Sequence, residues 1–218
     1  MARYEGLAAW YDEFRPALRP HESGVLERLL GHGTARCLDL ACGSGVALPI
    51  LAELGWSVVG VDIADDLLEL ARRRGIGEIL RADVTALPFP DASFDAAVSI
   101  WTHTDVDDFS ALLREAVRVL KPGARFVYLG AHPCFVGPHS TFVGAEGIPL
   151  LHPGYRRTGR YLDAPGIQPE GVRARVGATH LPLGLFLQAF LDTSLTVETV
   201  EEPDDREYPY TIAVAARR

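Results

Sequence analysis

The sequence carries an acidic residue at or near the end of each of three successive apolar segments. The first, Asp39, precedes a turn that contains Gly43 and Gly45. The second, Asp62, lies about 20 residues beyond Gly43, and Asp83 ends the third segment. A glycine-rich turn between a strand and a helix offers N–H groups to a ligand, and acids at strand ends can bind a ribose and an adenine. The pattern predicts a site for an adenosine-containing ligand, and it is also compatible with a helix-capping role for Asp62.

The residues around this turn indicate which adenosine ligand it binds. The dinucleotide fingerprint needs a third glycine or alanine three residues after the second glycine, where this sequence has Leu48. The carboxylate of Asp39 would repel a pyrophosphate, whereas it would attract the ammonium group of an amino acid. Both features favour a ligand with adenosine at one end and a zwitterionic amino acid at the other. They disfavour a nicotinamide-dependent oxidoreductase.

Composition and charge narrow the function classes further. The chain has 218 residues, of which 48% are hydrophobic and 23% charged, and its formal net charge is −8. This length fits one α/β domain, and the negative charge argues against nucleic acid or an anionic membrane as the main partner. The three cysteines show no metal or redox spacing, and the N-terminus has no apolar targeting segment. We therefore expect a soluble, cytoplasmic protein with reduced thiols.

Short apolar segments alternate with helical patterns through the first part of the chain. The predicted strands lie at 35–40, 57–62, 78–83, 94–100 and 124–130. Strands that alternate with helices predict βαβ units and a parallel sheet covered on both faces. A proline- and glycine-rich stretch over 131–179 breaks the pattern and predicts an irregular cap or binding loop. A helix over 183–191 and strands at 196–202 and 210–216, which form an antiparallel hairpin, complete the prediction.

Several motifs of this predicted core carry a family resemblance. They are Leu38-Asp39-Leu40-Ala41-Cys42-Gly43-Ser44-Gly45, Val61-Asp62, Ala82-Asp83, Leu87-Pro88-Phe89, Phe94-Asp95 and Leu120-Lys121-Pro122-Gly123. Together they resemble the class I S-adenosylmethionine-dependent methyltransferases of the small-molecule type. The resemblance implies an α/β fold, a Rossmann-like three-layer sandwich whose seven-stranded sheet has the order 3-2-1-4-5-7-6 with strand 7 antiparallel. It also implies S-adenosyl-L-methionine as the cofactor and S-adenosyl-L-homocysteine as the product.

The same resemblance implies roles for individual residues. The cofactor-binding residues that it implies are Tyr11, Asp39, Ala41, Gly43, Gly45, Asp62, Ile63, Asp83, Val84, Ser99 and Trp101. Asp62 is expected to hold the ribose, and Asp83 to contact the adenine edge. Ser99 is expected to offer its carbonyl to the methionine amino group, with Trp101 near the sulfonium and Tyr11 over the cofactor. Core packing is the alternative role for Tyr11 and Trp101.

Histidines are the candidate residues for the chemistry on the methyl acceptor. His103 follows the fourth predicted strand and His132 the fifth, at the sheet edge where this fold places its chemistry. Either could act as a general base for a hydroxyl acceptor, and a structural hydrogen-bonding role is the alternative. The predicted substrate-binding residues of the cap are His139, Tyr155, Arg156 and Arg160. They suggest an acceptor with a ring and, as an option, an acidic group, although the arginines could instead pair with surface carboxylates. The spacing of His132, Cys134 and His139 matches no zinc signature, so we expect no metal.

The sequence thus predicts an S-adenosylmethionine-dependent methyltransferase of a small-molecule acceptor in biosynthetic or specialised metabolism. O-methylation with histidine-assisted deprotonation is the leading hypothesis. N- or C-methylation of the same kind of acceptor, and a non-catalytic cofactor-binding partner subunit, are the alternatives. The single predicted domain comprises N-terminal helices over 1–34, a cofactor-binding core over 35–130, a substrate cap over 131–180, and a last helix and closing hairpin over 181–218. We expect a monomer or homodimer that binds neither nucleic acid nor membrane.

Overall fold

The structure is a computed structural model that describes residues 3–144 and 147–218. Its strands are β1 (Arg36–Leu40), β2 (Ser57–Asp62), β3 (Glu78–Arg81), β4 (Phe94–Ile100), β5 (Leu120–Ala131), β6 (Ser140–Val143), β7 (Ile148–Leu151), β8 (Gly159–Tyr161), β9 (Ala178–His180), β10 (Thr196–Glu201) and β11 (Thr211–Arg217). Its helices are α1 (Ala8–Phe14), α2 (Pro20–Val25, continued by a π-helical turn over Leu26–Leu30), α3 (Leu48–Glu53), α4 (Asp65–Arg73), α5 (Phe109–Val119), α6 (Val172–Val176) and α7 (Leu183–Leu191).

A seven-stranded sheet forms the middle layer, in the order β10-β11-β5-β4-β1-β2-β3. β1 to β5 pair with one another in parallel, whereas β11 runs antiparallel to both of its neighbours. Read from the other edge, this is the order 3-2-1-4-5-7-6 with an antiparallel seventh strand. The predicted fold class is confirmed.

The register of the central strands brings their carboxyl ends to one edge. Leu40 at the end of β1 pairs with Val61 on one side and with Ser99 on the other. The residues that follow these three positions therefore emerge side by side. A parallel sheet places its ligand site at this edge because the connections to the helices start there.

Both faces of the sheet are buried by helices. On one face, aromatic side chains from α5, α7 and β5 pack together, with Phe109, Phe186 and Tyr128 almost fully buried. On the other face, the π-helical turn after α2 and the helix α3 cover Val127 and neighbouring residues of the sheet. Alternate residues of β5 thus serve opposite layers, as the period of a strand requires.

The cap contains regular structure, so the expectation of an irregular insertion was wrong. β6 pairs with β7 and β8 with β9, both antiparallel, and α6 directly precedes β9. The glycines that obscured these strands in the sequence serve their turns: Gly144 and Gly147, beside the β6–β7 turn, have φ of 71° and 63°. Within the described ranges, no helix has the length and apolar character needed to cross a membrane.

Candidate functional site

A cavity of about 370 Å³ opens at the carboxyl ends of β1 to β4. The residues of the predicted cofactor set that line it are Tyr11, Ala41, Gly43, Asp62, Ile63, Asp83, Val84 and Trp101. A smaller cavity of about 40 Å³ shares Tyr11, Ala41, Gly43 and Trp101 with it and is also lined by Asp39. The structure therefore brings all of the predicted cofactor residues except Gly45 and Ser99 to one composite site.

Gly43 and Gly45 have different roles in the turn. Gly43 has a φ of 54° and lines both cavities, and a β-carbon there would come no nearer than 4.0 Å to the Leu67 side chain. Gly45 has a φ of 76°, and a β-carbon there would lie 2.6 Å from the Leu48 side chain and 3.1 Å from Ala71. Gly43 thus leaves open space for a ligand, whereas Gly45 allows the turn to pack against α3 and α4 and lines neither cavity.

Asp62 ties the turn to the helix that follows β2. One of its carboxylate oxygens accepts a hydrogen bond from the Gly43 N–H and the other from the Ala64 N–H, both at 2.9 Å. Burial raises the pKa of this carboxyl, and the two N–H donors partly oppose that effect. Each oxygen keeps a second lone pair, so a ribose could still be bound from the cavity side. The capping role and the ligand role are compatible in one residue.

Two buried polar atoms of the smaller cavity have no hydrogen-bond partner among the described residues. They are Oδ2 of Asp39 and Oγ of Ser44, and both residues are 1% exposed. Burial, with a smaller contribution from Asp62, raises the pKa of Asp39 to about 7. Because burying an unpaired polar atom is costly, such atoms in residues that line a cavity indicate a site for a polar ligand. A cationic group would lower the pKa of Asp39 and remove the penalty.

Sequence analysis missed Arg15 and Ile100, which line the smaller cavity. Arg15 follows α1 four residues after Tyr11, and this helical spacing could have indicated that both side chains face the same site. Ile100 takes the place expected for Ser99 at the end of β4. Ser99 is fully buried, and its hydroxyl bonds to that of Thr102.

A second group of missed residues lines the larger cavity beyond Trp101. Tyr4 donates its hydroxyl proton to Oδ1 of Asp105 at 3.0 Å, and Arg173 of the cap helix α6 pairs with the same oxygen. Arg3 donates to the Thr104 carbonyl at 3.0 Å and also pairs with Asp107. The N-terminal segment, the loop after β4 and the cap therefore meet at this end of the cavity.

The structure corrects the expectation that His103 faces the acceptor. His103 is 1% exposed, lines neither cavity, and its Nδ1 hydrogen-bonds to the Tyr128 hydroxyl. Its ring packs against Phe109 and Phe186. Burial lowers the pKa of His103 to about 3. The side chain turns inward because the aromatic layer under β5 offers it packing and a hydroxyl partner.

His132 is likewise placed away from both cavities. Its Nε2 lies 2.7 Å from the Glu202 carboxylate, and its Nδ1 accepts a hydrogen bond from the Cys134 N–H. Burial lowers the pKa of His132, although Glu202 opposes this. The ring joins the start of the cap to the segment after β10. The expectation that His132 acts as a general base is therefore also corrected.

The four residues predicted to bind the substrate line neither cavity. His139 is buried with its Nε2 at 2.8 Å from the Cys134 carbonyl, and its ring lies 5.1 Å from that of Tyr155. The Tyr155 hydroxyl accepts a hydrogen bond from the Leu183 N–H. Arg156 and Arg160 are exposed. The pairs β6–β7 and β8–β9 hold these residues within the cap, away from the sheet edge. Across the described residues, no cluster of three or more histidine, cysteine or acidic side chains is arranged to hold a metal ion.

Comparison with known proteins agrees with this geometry. Residues 38–128 match the family model of a methyltransferase domain. A solved S-adenosylmethionine-dependent methyltransferase from Mesorhizobium loti is 27% identical, with a TM-score of 0.76 over 91% of this chain and 98% of that one. The chain therefore contains a methyltransferase domain and shares its fold with an S-adenosylmethionine-dependent methyltransferase. The family resemblance found in the sequence is confirmed.

Curated relatives match about half of the chain. A demethylmenaquinone methyltransferase of Clavibacter sepedonicus is 44% identical over 96 residues, which are 42% of this chain and 39% of that protein. A ubiquinone biosynthesis O-methyltransferase of Xanthomonas oryzae pv. oryzae is 31% identical over 127 residues, 53% of each protein. The chain thus spans about two fifths to half of the length of these relatives.

The composite cavity fits the cofactor that the methyltransferase domain implies. Asp39 and Ser44 offer free oxygen atoms for an ammonium group, and Arg15, which lines the same cavity, offers a cation for a carboxylate. Asp62 is placed for a ribose, and the acid of Asp83 lies farther along the larger cavity. A cavity lined by side chains of both signs of charge matches a zwitterionic amino acid and does not match a pyrophosphate.

Proposed function

We propose that this protein transfers the methyl group of S-adenosylmethionine to a hydroxyl oxygen of a small, ring-bearing acceptor. The supporting observation is the composite cavity, in which Asp39 and Ser44 of the smaller part have buried oxygen atoms without a partner and Asp105 lines the larger part. A methyl donor and its acceptor need adjoining pockets that exclude water, because the transfer is a direct displacement.

Different residues of the cavity would bind different parts of the cofactor. Asp39, Ser44 and Arg15 would bind the amino-acid end, and Asp62 would bind the ribose hydroxyls. The adenine would lie between Ile63 and the acid-bearing turn at Asp83, whose Oδ1 already accepts hydrogen bonds from Thr85. When bound, S-adenosylmethionine supplies an electrophilic methyl group.

Asp105 is the residue that we assign to the acceptor hydroxyl. Its Oδ1 is occupied by Tyr4 and Arg173, whereas its Oδ2 has no hydrogen-bond partner among the described residues. Oδ2 can therefore accept the hydrogen bond of a hydroxyl group and take its proton as the oxygen is methylated. Tyr4 and Arg173 fix the orientation of the carboxylate.

The walls of the acceptor end favour a ring without an acidic group. The Tyr4 and Tyr11 rings meet edge to face, with 4.9 Å between centroids, and Trp101 lines the same cavity. Among the described residues that line the larger cavity, Arg3 carries the one positive charge, and both of its Nη atoms already donate hydrogen bonds, to the Thr104 carbonyl, Asp107 and the Thr179 hydroxyl. The acidic group considered from the sequence is therefore not part of the proposal. The names of two curated relatives, a demethylmenaquinone methyltransferase and a ubiquinone biosynthesis O-methyltransferase, support a quinone-like acceptor.

The test compares three acceptors that share one ring system and carry a hydroxyl, an amine or a carboxylic acid. Product mass and S-adenosylhomocysteine formation are measured with the wild type, Asp105→Asn and Asp107→Asn. We expect methylation of the hydroxyl compound, a fall in kcat of about 100-fold in Asp105→Asn, and a change below threefold in Asp107→Asn. Asp107 is the matched control because its carboxylate lines the same cavity but is 78% exposed.

Other outcomes separate the alternatives. Methylation of carbon or nitrogen, with the hydroxyl compound inert, would overturn O-methylation. Binding of S-adenosylhomocysteine without turnover of any acceptor would instead support a non-catalytic cofactor-binding subunit. Because Asp105→Asn leaves Arg173 short of a counter-charge, the unfolding midpoint of each variant must be measured alongside its kcat.

A further inference from the structure

Glu22 is a fully buried carboxylate that the proposed chemistry does not use. It lies in α2, well before the glycine turn in the sequence. Its two oxygens accept hydrogen bonds from Nη2 of Arg15 at 2.9 and 3.0 Å, and Oε2 also accepts from the Arg19 N–H. Oε1 accepts a further hydrogen bond from the indole N–H of Trp101 at 2.8 Å.

The two side chains that Glu22 holds are both walls of the smaller cavity. The Arg15 guanidinium lies over the Trp101 ring, 5.0 Å from its centroid, so the two walls also contact each other. One carboxylate therefore fixes the position of a cation and an indole that come from distant parts of the chain.

Trp101 needs such support because its backbone is unfavourable. Its φ is 62°, a value that bulky residues rarely adopt. The Trp101 N–H donates to the Leu129 carbonyl at 2.7 Å, and the indole N–H donates to Glu22. Strained residues of this kind persist where the surrounding contacts over-determine them, and they cluster at ligand sites.

The smaller cavity can bind both the ammonium and the carboxylate group of an amino acid only if the Arg15 guanidinium keeps its position. Asp39 and Ser44 supply free oxygens, and Arg15 supplies the opposite charge. Among the described residues, Arg15 donates side-chain hydrogen bonds through Nη2 alone, which leaves Nε and Nη1 for a ligand carboxylate. Without Glu22, the long and flexible Arg15 side chain would have to be ordered when the ligand binds, and this would lower the affinity.

We infer that Glu22 is a positioning residue that sets the affinity for the amino-acid end of the cofactor and leaves the adenosine end unaffected. It acts through Arg15 and Trp101 and does not itself line either cavity. The inference rests on the proposed cofactor function. A purely structural role, in which Glu22 only joins α2 to the sheet, is the competing explanation.

Two ligands distinguish these explanations, because they share the adenosine end. S-adenosylhomocysteine carries the amino-acid group, whereas 5′-methylthioadenosine lacks it. Both are titrated calorimetrically into the full-length wild type, Glu22→Gln and Glu27→Gln. We expect Glu22→Gln to bind S-adenosylhomocysteine at least fivefold more weakly, since a neutral amide holds Arg15 less firmly, and to bind 5′-methylthioadenosine within twofold of the wild type. Glu27 is the matched control because it lies in the same helical segment but is exposed, and its variant should change neither affinity.

A double-mutant cycle gives a second measurement with S-adenosylhomocysteine alone. If Glu22 acts through Arg15, Glu22→Gln should cost less than twofold in affinity when Arg15→Gln is already present. Equal losses for both ligands, or an additive cycle, would overturn the inference and leave Glu22 a structural residue. Failure of the wild type to bind either ligand is a different result, since it would overturn the cofactor function itself.

Discussion

The cofactor edge of the sheet and the cap differ in where their buried polar atoms without a hydrogen-bond partner lie. At the edge, Asp39 and Ser44 leave oxygen atoms unpaired at a cavity wall. In the cap, His132 pairs with Glu202, and His180 bonds to the Tyr155 carbonyl. Nδ1 of His139 and Oγ of Ser140 also have no partner among the described residues, but neither residue lines either of the two cavities. Unpaired atoms in residues that line a cavity indicate a ligand site, whereas the paired rings of the cap stabilise its own fold. A polar residue in a predicted loop is therefore a weaker indication of function than an unsatisfied polar atom in a residue that lines a cavity.

The largest effect should come from Asp62. Asp62→Ala removes hydrogen bonds to two N–H groups and the proposed ribose contact, so S-adenosylhomocysteine should bind about 100-fold more weakly by calorimetry. Asp65→Ala is the control, because Asp65 is 60% exposed in a surface ion pair, and it should stay within twofold. A loss of less than threefold in Asp62→Ala would contradict the assignment of this edge.

The pH dependence of binding should follow Asp39. Its carboxylate attracts an ammonium group only when ionised, and burial raises its pKa to about 7. Affinity for S-adenosylhomocysteine should therefore rise about tenfold between about pH 5.5 and about pH 7.5, and Asp39→Asn should abolish the rise. Affinity for 5′-methylthioadenosine should not change, because it has no ammonium group. A parallel pH dependence for both ligands would rule out Asp39 as the ammonium site.

The same residue affects the stability of the ligand-free fold. In the unfolded chain an aspartate ionises near its ordinary pKa of 3.8, whereas the folded Asp39 holds its proton up to about pH 7. The contribution of Asp39 to stability therefore falls as the pH rises between these two values.

His103 should affect stability and leave binding unchanged. His103→Phe keeps the aromatic packing but leaves the Tyr128 hydroxyl without its partner, so urea unfolding should show a loss of about 1–3 kcal/mol. The affinity for S-adenosylhomocysteine should stay within twofold. Burial lowers the pKa of His103 to about 3, whereas a histidine in the unfolded chain takes up a proton below its ordinary pKa of 6.5. The wild type should therefore lose stability as the pH falls from 6.5 towards 3, and the variant should lack this part of the acid sensitivity. A loss of turnover above tenfold at unchanged stability would restore a catalytic role.

The smallest effects should come from the cap arginines. Arg156→Ala and Arg160→Ala remove exposed side chains that line neither cavity. We expect acceptor KM and cofactor affinity to change less than twofold in steady-state kinetics and calorimetry. A rise of tenfold or more in acceptor KM for either variant would show that the cap arginines take part in acceptor binding.

The sequence predicted the sheet and most of the cofactor edge because both depend on local patterns. The period of the strands and the turn at Gly43 need only neighbouring residues to be recognised. The acceptor end was missed because Tyr4, Asp105 and Arg173 meet only after the N-terminus, the loop after β4 and the cap come together. His103 was placed on the wrong side because its direction is decided by aromatic packing from distant parts of the chain.

The proposed cofactor site is tested most directly by titrating the wild-type protein with S-adenosylhomocysteine and with NAD under the same calorimetric conditions. One binding site for S-adenosylhomocysteine and no heat of binding for NAD is the predicted result, because the smaller cavity is lined by Asp39, whose carboxylate would repel a pyrophosphate. Saturable binding of NAD together with no response to S-adenosylhomocysteine would contradict it.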